Sequence, residues 1–403
     1  MNRGDYDVIV QGGGMVGLAT ALACADAGAR VAVLERRPPE PWRGGAVRER
    51  VSAVNLASER LLAHLGVWPA VLAERAGRFE AIEAEDAASG ARVRFDAADA
   101  GLAHLGHIVE NELVRARLAD ACARFGVAVL APAAVEDWQA GPDGLRLRLG
   151  DGRRLEGRLL VGADGAASAV RTAAGIPVRR SGYGQGAVVA TVTTGAPHGH
   201  VARQRFLDGG PLAFLPLQDG RCSIVWSLPG EEAGVTASLS DSAFCSVLEH
   251  AAGDLVGGIV DAGSRASFPL RRLHAERYIG ERLALVGDAA HVIHPLAGQG
   301  ANLGFRDAAV LGACVGDALA GGRDPGGRGA LRRYERARRG DNVSTQLVMD
   351  AFHEAFTRDD PLLVRLRGTG FGAVSRLSPV RRRLILAATG LAGELPGSMR
   401  GAA

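Results

Sequence analysis

Three glycine-rich stretches of the sequence carry side chains at positions suited to binding a dinucleotide. The first is GGGMVG at 12–17, a GxGxxG pattern, and Glu35 follows at about the spacing of twenty residues that such sites use. Gly12 permits a tight turn, Gly14 lets a pyrophosphate approach the backbone, Gly17 allows close helix packing, and Glu35 can bind a ribose hydroxyl. The pattern predicts dinucleotide binding, but it does not distinguish FAD from NAD.

The second stretch is GADG at 162–165, which ends a predicted strand and is followed by Ser168 and Arg171. The Asp164 carboxylate could contact a bound cofactor. It could equally cap the next helix by accepting hydrogen bonds from exposed backbone N–H groups. The sequence leaves both roles open.

The third stretch contains GDAAH at 287–291 and HPLAGQGANLG at 294–304. Asp288 stands at the carboxyl end of a predicted parallel strand, where ligands collect in open α/β sheets. The glycines let the backbone approach a flat ring, and the N-terminus of the following helix would stabilise negative charge on a reduced flavin. This stretch therefore favours an isoalloxazine over a nicotinamide ring.

Two histidines in the third stretch, His291 and His294, could form a metal-binding pair. No third ligand lies nearby in the sequence, and Pro295 would interrupt any helix that aligned them, so we predict no metal site. Either histidine could instead hold the loop by bonding a backbone carbonyl. The five cysteines form no CxxC pair or zinc-type spacing, which favours a reducing cytosol.

These residues need a parallel sheet with helices to position them. Residues 7–34 have a β-α-β pattern, and buried strands are predicted again before Asp164 and Asp288. Alternating apolar segments further along the chain predict a second, antiparallel sheet. We therefore predict an α/β protein, with a Rossmann-like FAD-binding domain of the glutathione-reductase type interleaved with a smaller antiparallel β-sheet substrate domain and followed by C-terminal helices. The predicted boundaries are 1–75, 102–176 and 268–350 for the FAD-binding domain, 76–101 and 177–267 for the substrate domain, and 351–403 for the helical segment.

The composition excludes several classes of protein. The chain has 403 residues, 47% of them hydrophobic, which suffices for the cores of two domains. Its formal net charge of +3 is too small to indicate a nucleic-acid partner. No segment reaches the roughly 18 consecutive apolar residues that a membrane span requires. We predict a cytoplasmic protein.

The last fifty residues combine apolar and basic residues, as in PLLVRLRG and PVRRRLILAATGL. Helices of this kind could lie on an anionic membrane surface, here the inner face of the membrane, or pack on the FAD-binding domain with their arginines in solvent. The stretch GTGFG at 368–372 follows no strand, so we predict a turn there. Membrane contact, a biosynthetic complex and a homo-oligomer all stay open.

The three stretches occur in the order typical of one known family. Over nearly its whole length the chain resembles the class A flavoprotein monooxygenases, the family of para-hydroxybenzoate hydroxylase. GHIVENELVRARL, FLPLQDGRCSIVWSLP and GDAAHVIHPLAGQGANLGFRDAA are most similar to the ubiquinone-biosynthesis hydroxylases. The resemblance implies an FAD enzyme that uses NAD(P)H as a transient electron donor and dioxygen as a co-substrate to hydroxylate a phenolic ring, with or without a polyprenyl chain.

The resemblance also implies roles for individual residues. Gly12, Gly14, Gly17 and Glu35 would hold the ADP half of FAD. The other implied cofactor contacts are Arg50 near the pyrophosphate, Asn111 and Asp288 at the ribityl chain, Asp164 for both FAD and the nicotinamide donor, and Gly300, Ala301 and Asn302 at the flavin ring. Arg50 and Asn111 could also be solvated or structural. Pro295 would lie beside the reactive face of the flavin, and His291 is the only side chain we suggest for acid or base catalysis.

The apolar strands LAFLPL and SIVWSL could form the dry wall that this chemistry needs. Phe214, Leu215 and Trp226 are the candidate pocket residues, although such side chains can also simply fill the core of a sheet. Alternative functions are a secondary-metabolite hydroxylase, a reductase or oxidase of the same fold, and a catalytically silent member of a biosynthetic complex. A halogenase is disfavoured because the WxWxIP motif is absent; the nearest fragment is VWSLP at 225–229.

Overall fold

The computed structural model of the protein describes residues 5–293, 300–357 and 360–401. The strands are β1 (Tyr6–Gln11), β2 (Val31–Leu34), β3 (Val51–Asn55), β4 (Gly77–Phe79), β5 (Ala81–Asp86), β6 (Arg92–Asp96), β7 (Gly106–Glu110), β8 (Ala128–Leu130), β9 (Val135–Gly141), β10 (Gly144–Leu149), β11 (Arg154–Gly162), β12 (Val178–Thr194), β13 (Val201–Leu207), β14 (Gly210–Pro216), β15 (Cys222–Pro229), β16 (Ile259–Ala275), β17 (Ile279–Gly280), β18 (Leu283–Leu285) and β19 (His291–Val292). The helices are α1 (Met15–Asp26), α2 (Leu56–His64), α3 (Trp68–Glu74), α4 (Asn111–Arg124), α5 (Ala169–Ala173), α6 (Glu232–Ala237), α7 (Asp241–Ala252), α8 (Gly300–Ala320), α9 (Arg328–Thr357), α10 (Pro361–Arg376) and α11 (Ser378–Ala388).

The first sheet carries the three glycine-rich stretches. Its strand order is β17-β18-β11-β1-β2-β8, and β9 and β10 extend it from β11. The pairings of β1 with β11 and β2, of β2 with β8 and of β11 with β18 are parallel. The four residues of β2 are all buried, as expected for a parallel strand covered on both faces. The carboxyl ends of β1, β2, β11 and β18 therefore meet at one edge of the sheet.

The second sheet has the strand order β19-β16-β12-β15-β14-β13-β5-β6. Its pairings are antiparallel except that β13 runs parallel to β5. α6 and α7 cover one face of the sheet, where an apolar core forms around Phe244 and Leu248. A short third sheet has the strand order β3-β7-β4.

The fold class predicted from the sequence is confirmed, because a parallel sheet flanked by helices and a largely antiparallel sheet are both present. The domain boundaries stay a prediction. The predicted turn at 368–372 is wrong, since these residues lie inside α10. A Cβ on Gly368 would lie 3.3 Å from the Cβ atom of Ser89, so this glycine lets α10 approach the β5–β6 hairpin closely.

The C-terminal helices dock against the sheets. α10 contacts β6, and Ile385 of α11 is buried in an apolar cluster with Phe79 and Ile108. The Asn55 side chain donates to the backbone oxygen of Ala388 at the end of α11. No helix in the described part of the chain is long and apolar enough to span a bilayer.

Candidate functional site: a dinucleotide cleft

The first glycine-rich stretch makes a tight turn between β1 and α1. Gly12 has a φ angle of +117°, and a Cβ there would lie 2.3 Å from the carbonyl oxygen of Ala163. A Cβ on Gly17 would lie 2.0 Å from the carbonyl oxygen of Gly12. Only glycine fits at either position, because backbone atoms occupy the space that a side chain needs. The first and second stretches are therefore in direct contact.

The start of α1 and the end of β2 form the first part of the cleft. Gly14 caps α1 and is exposed, and a Cβ added to it would meet no atom within 4 Å. Free N–H groups at such a helix start bind phosphate oxygens. The Glu35 carboxylate accepts hydrogen bonds from the backbone N–H groups of Gly13, at 2.6 Å, and Arg37, at 3.1 Å. These bonds hold the carboxylate beside the turn, where a ribose would lie.

Asp164 in the second stretch caps the next helix, which is one of the two roles that the sequence left open. Its Oδ2 atom caps α5 by accepting from the backbone N–H groups of Ala169, at 2.8 Å, and Val170, at 3.2 Å. Its Oδ1 atom is buried and accepts no hydrogen bond within the described part of the chain. A buried acceptor of this kind favours a ligand donor nearby.

Arg171 connects the second stretch to the third. Its guanidinium, with 1% of the residue exposed, donates to the backbone oxygens of Ala289, at 2.8 Å, and Ala166, at 2.9 Å. Burial lowers the pKa of Arg171 from its ordinary value. Ser168 caps α5 by accepting from the backbone N–H of Arg171 at 2.9 Å. These bonds place the loop around Asp288 next to the loop around Asp164.

Asp288 follows shortly after the end of β18. Its side chain is accessible to solvent, yet the surrounding protein raises its pKa by desolvation, and the charges of His291 and Arg50 partly offset this rise. Beside it, Cβ atoms on Gly287 and Gly304 would lie within 3.0 Å and 2.4 Å of the Val16 side chain. The described part of the third stretch therefore packs on the first turn of α1. The three stretches meet at one edge of the first sheet, and we call this edge the dinucleotide cleft.

Asn302 anchors the first turn of α8 to the neighbouring strand and helix. Its Nδ2 donates to the backbone oxygen of Ala53 at 2.8 Å. Its Oδ1 accepts from the backbone N–H of Asn55, at 3.0 Å, and the hydroxyl of Ser58, at 2.8 Å. The adjacent Gly300 and Ala301 are partly exposed, so their backbone can face a ligand.

Arg50 and Asn111 are neighbours although 61 positions separate them in the sequence. The backbone N–H of Asn111 donates to the carbonyl oxygen of Arg50 at 3.1 Å, and the Ser52 hydroxyl donates to Oδ1 of Asn111 at 2.6 Å. The Arg50 guanidinium is exposed and lies 5.8 Å from the centre of the Phe268 ring. Asn111 therefore lies beside Arg50, whose charge is close enough to lower the pKa of Asp288.

A family model described as FAD binding domain matches residues 5–351. The chain belongs to this family. It is 38% identical to ubiquinone hydroxylase UbiL of Rhodospirillum rubrum, with 98% of this chain and 92% of that protein covered. It is 36% identical to 3-demethoxyubiquinol 3-hydroxylase of Escherichia coli, with 97% and 100% covered. The solved structure of p-nitrophenol 4-monooxygenase PnpA from Pseudomonas putida has a TM-score of 0.77 at 20% identity, covering 96% of this chain and 98% of that one, and so shares the fold.

The resemblance to the flavoprotein monooxygenases and to their ubiquinone-biosynthesis hydroxylases is confirmed by these comparisons. The residues present also fit FAD, the cofactor of this FAD-binding family. The helix start at Gly14 suits a pyrophosphate, the acid at Glu35 suits a ribose, and the unpartnered Oδ1 of Asp164 suits a donor group. The residue roles inferred from the resemblance stay predictions.

The FAD-binding fold buries an ionic cluster behind the loop of Asp288 that was not predicted from the sequence. Asp307 on α8 is fully buried and accepts from Nε2 of His291 at 2.6 Å, from the backbone N–H of Gly287 at 3.0 Å and from Nε of Arg338 at 2.8 Å. Asn342 donates to the same carboxylate at 3.3 Å. The available signal was a single acid on the otherwise apolar face of a predicted helix. His291, a suggested catalytic residue, is 2% exposed and engaged by Asp307, which favours a positioning role.

The three suggested pocket residues lie on different faces of the second sheet. Phe214 and Trp226 are in the apolar core beneath α7, whereas Leu215 contacts the cluster around Phe79 and Ile385 on the other face. Neighbouring residues of a strand point to opposite faces, so Phe214 and Leu215 cannot line the same pocket. Their roles stay predictions. Pro295 and His294 lie outside the described residues.

Proposed function

We propose that this protein is an FAD-dependent, NAD(P)H-consuming monooxygenase that hydroxylates a phenolic ring, polyprenylated or not, in ubiquinone-type biosynthesis. The observation that carries the proposal is the convergence of the three glycine-rich stretches around one cleft, through the contacts of Gly12 with Ala163, Arg171 with Ala289 and Val16 with Gly304. The named activities of relatives that match nearly the whole chain support the substrate class.

Bound FAD, reduced by the nicotinamide donor, supplies the chemistry that activates dioxygen for ring hydroxylation. The residues of this chain would bind and orient the cofactor. Glu35 and the start of α1 would hold the adenosine end of FAD, and Asp288 with Arg50 would hold its middle. Asn302 keeps the first turn of α8 against β3, so its backbone is presented to the ring. Leu215 packs against an apolar cluster on one face of the second sheet, and we expect this face to keep water from the reacting atoms.

The proposed reaction makes a direct prediction for the FAD-loaded protein. Adding a phenol, tested with and without a prenyl chain, should stimulate NAD(P)H oxidation and give a product that is heavier by one oxygen atom. The measurement is mass spectrometry under labelled dioxygen, with an anaerobic sample as control. A product formed without dioxygen would indicate a reductase or oxidase. Failure of every phenol in the panel to stimulate the reaction would indicate a catalytically silent protein.

The same proposal includes contact with a membrane surface through α9, α10 and α11. Seven of the eleven exposed large apolar side chains of the described residues lie between 347 and 384, which concentrates apolar surface in one part of the chain. Residues 361–393 contain six arginines and no acid, and Arg365, Arg376, Arg382 and Arg383 are exposed. Apolar side chains flanked by cations are suited to the interface of an anionic bilayer. A polyprenylated substrate would be taken up there.

Vesicle flotation tests this surface. The protein should float with vesicles that contain phosphatidylglycerol and much less with phosphatidylcholine alone. Leu366→Ser combined with Leu384→Ser should reduce flotation at least tenfold, because burying each leucine contributes about 1.5–3 kcal/mol at most. Val235→Ser is the matched control, since Val235 is 66% exposed on α6, far along the sequence from this surface. Equal flotation of all variants, or none by the unaltered protein, would remove the membrane proposal.

A further inference from the structure

Glu59, His104 and His107 form a compact cluster outside the dinucleotide cleft. Glu59 lies on α2, His104 precedes β7, and His107 lies on β7. Oε2 of Glu59 lies 2.9 Å from Nε2 of His104, and Oε1 lies 2.7 Å from Nδ1 of His107. The Glu59 and His107 side chains are 8% and 9% exposed, and that of His104 is 22% exposed.

We propose that these three side chains bind a divalent transition-metal ion, for which Zn²⁺ is the best match. Two imidazoles and one carboxylate are an established zinc ligand set that leaves a position for water or a second carboxylate oxygen. One ligand atom from each residue can be chosen so that all lie within 4.8 Å of one another. Within the described part of the chain, no other group of three histidine, cysteine or acidic side chains brings its ligand atoms this close together.

The orientation of the carboxylate favours one position for the ion. Each oxygen of Glu59 faces one imidazole nitrogen, so an ion in front of the carboxylate edge can reach both oxygens and both nitrogens. Metal–ligand distances of about 2.0–2.2 Å would require the three side chains to rotate away from their present hydrogen-bond geometry and toward the ion. The protons shared between nitrogen and oxygen would be released as the metal binds, because imidazole coordinates in its neutral form.

The surroundings of the cluster hold its ligand atoms in place. The Glu59 side chain on α2 and the His107 side chain on β7 are both nearly buried, so neither can turn freely into solvent. An aromatic contact also limits the movement of His107, because the Trp68 and His107 rings pack in a T-shaped arrangement with 5.4 Å between their centres.

A metal here would join α2 to β7 close to the dinucleotide cleft. Ser58, next to Glu59, donates to Asn302, and Asn55 caps α2 by accepting from the backbone N–H of Ser58 at 3.1 Å. The ion would therefore brace the helix on which the first turn of α8 rests. Sequence spacing gave no indication of the site, because Glu59 is 45 residues from His104.

Calorimetric titration of the FAD-loaded, tag-free protein with zinc chloride, after treatment with a chelator, tests the proposal. We expect one equivalent to bind with micromolar or tighter affinity and to raise the melting temperature. Glu59→Gln and His104→Ala should each weaken binding at least tenfold. His200→Ala is the matched control, because His200 pairs with His198 outside this cluster, with 5.6 Å between their ring centres.

Several outcomes would overturn the metal site. They are the absence of saturable zinc binding, unchanged affinity in both variants, or a loss of binding in His200→Ala. Retained flavin absorbance in each variant shows that it is folded. His104 is the most exposed of the three ligands, so His104→Ala should disturb folding least. If Glu59→Gln does not fold, the zinc affinity of His104→Ala tests the site. Zinc binding is measured without substrate or turnover, so its failure and the failure of the proposed hydroxylation are separate results.

Discussion

Gly17→Ala is expected to yield a protein that is isolated without its yellow cofactor and has at least 100-fold weaker affinity for FAD. The added Cβ would lie 2.0 Å from the carbonyl oxygen of Gly12, whereas Cβ atoms in proteins essentially never lie closer than 3.0 Å to such an atom. The nearest atoms belong to the backbone, so no side chain can rotate away to relieve the clash. The start of α1 must therefore shift, and the N–H groups that face the pyrophosphate shift with it.

The measurement is the flavin absorbance of the purified protein, followed by titration with FAD monitored by flavin fluorescence. A 100-fold loss corresponds to about 2.8 kcal/mol of binding free energy. Gly340→Ala is the matched control. Its added Cβ meets no atom within 4 Å on the exposed surface of α9, and alanine favours a helix by about 1 kcal/mol. Normal FAD affinity in Gly17→Ala would contradict the placement of the pyrophosphate at this turn.

Asp307→Ala is expected to lower the free energy of unfolding by about 3–5 kcal/mol, the cost of leaving one member of a buried ion pair alone. Asp307 has no exposed surface, and its partner Arg338 is 1% exposed. Truncation also frees the backbone N–H of Gly287 and Nε2 of His291. Because Gly287 precedes Asp288, the FAD affinity should fall together with stability. Urea denaturation with and without FAD measures both effects.

The matched control is Asp317→Ala on the same helix. Asp317 pairs with Arg333, but the two side chains are 50% and 58% exposed, so solvent screens the pair and about 0–1 kcal/mol should be lost. Equal destabilisation by the two substitutions would show that the buried cluster has no special role.

The Asp307 cluster also predicts a loss of stability in acid. Burial alone would raise the pKa of Asp307, but the charges of His291 and Arg338 lower it more, to about 2 from an ordinary value of 3.8. A carboxyl with a lower pKa in the folded state contributes its full stability above the unfolded value and loses that contribution as the pH falls through the folded value. Denaturation curves at several pH values between about 5 and 2 should therefore depend less on pH in Asp307→Asn than in the unaltered protein.

The sequence was most informative where a local backbone requirement dictated the residue. Gly12 and Gly17 are required by close contacts at one β-α turn, and such a turn leaves a fixed spacing that can be read along the chain. The strands before Asp164 and Asp288 were visible as apolar runs because parallel strands are buried on both faces. The glycines at 368–372 led to the wrong prediction of a turn. They lie inside α10, where Gly368 allows the helix to approach the distant β5–β6 hairpin closely.

The β-α-β nucleotide unit, the two kinds of sheet and the family of the chain could all be predicted before the fold was known, because they follow from residue spacing over short stretches. Three features emerged only in the folded molecule: Asp307 holds His291 and Gly287, Leu215 rather than Phe214 packs on the cluster around Phe79, and Glu59 meets His104 and His107. Most of these contacts join segments that lie far apart along the chain. Their formation depends on how sheets and helices are stacked in space, and no local pattern in the chain encodes that stacking.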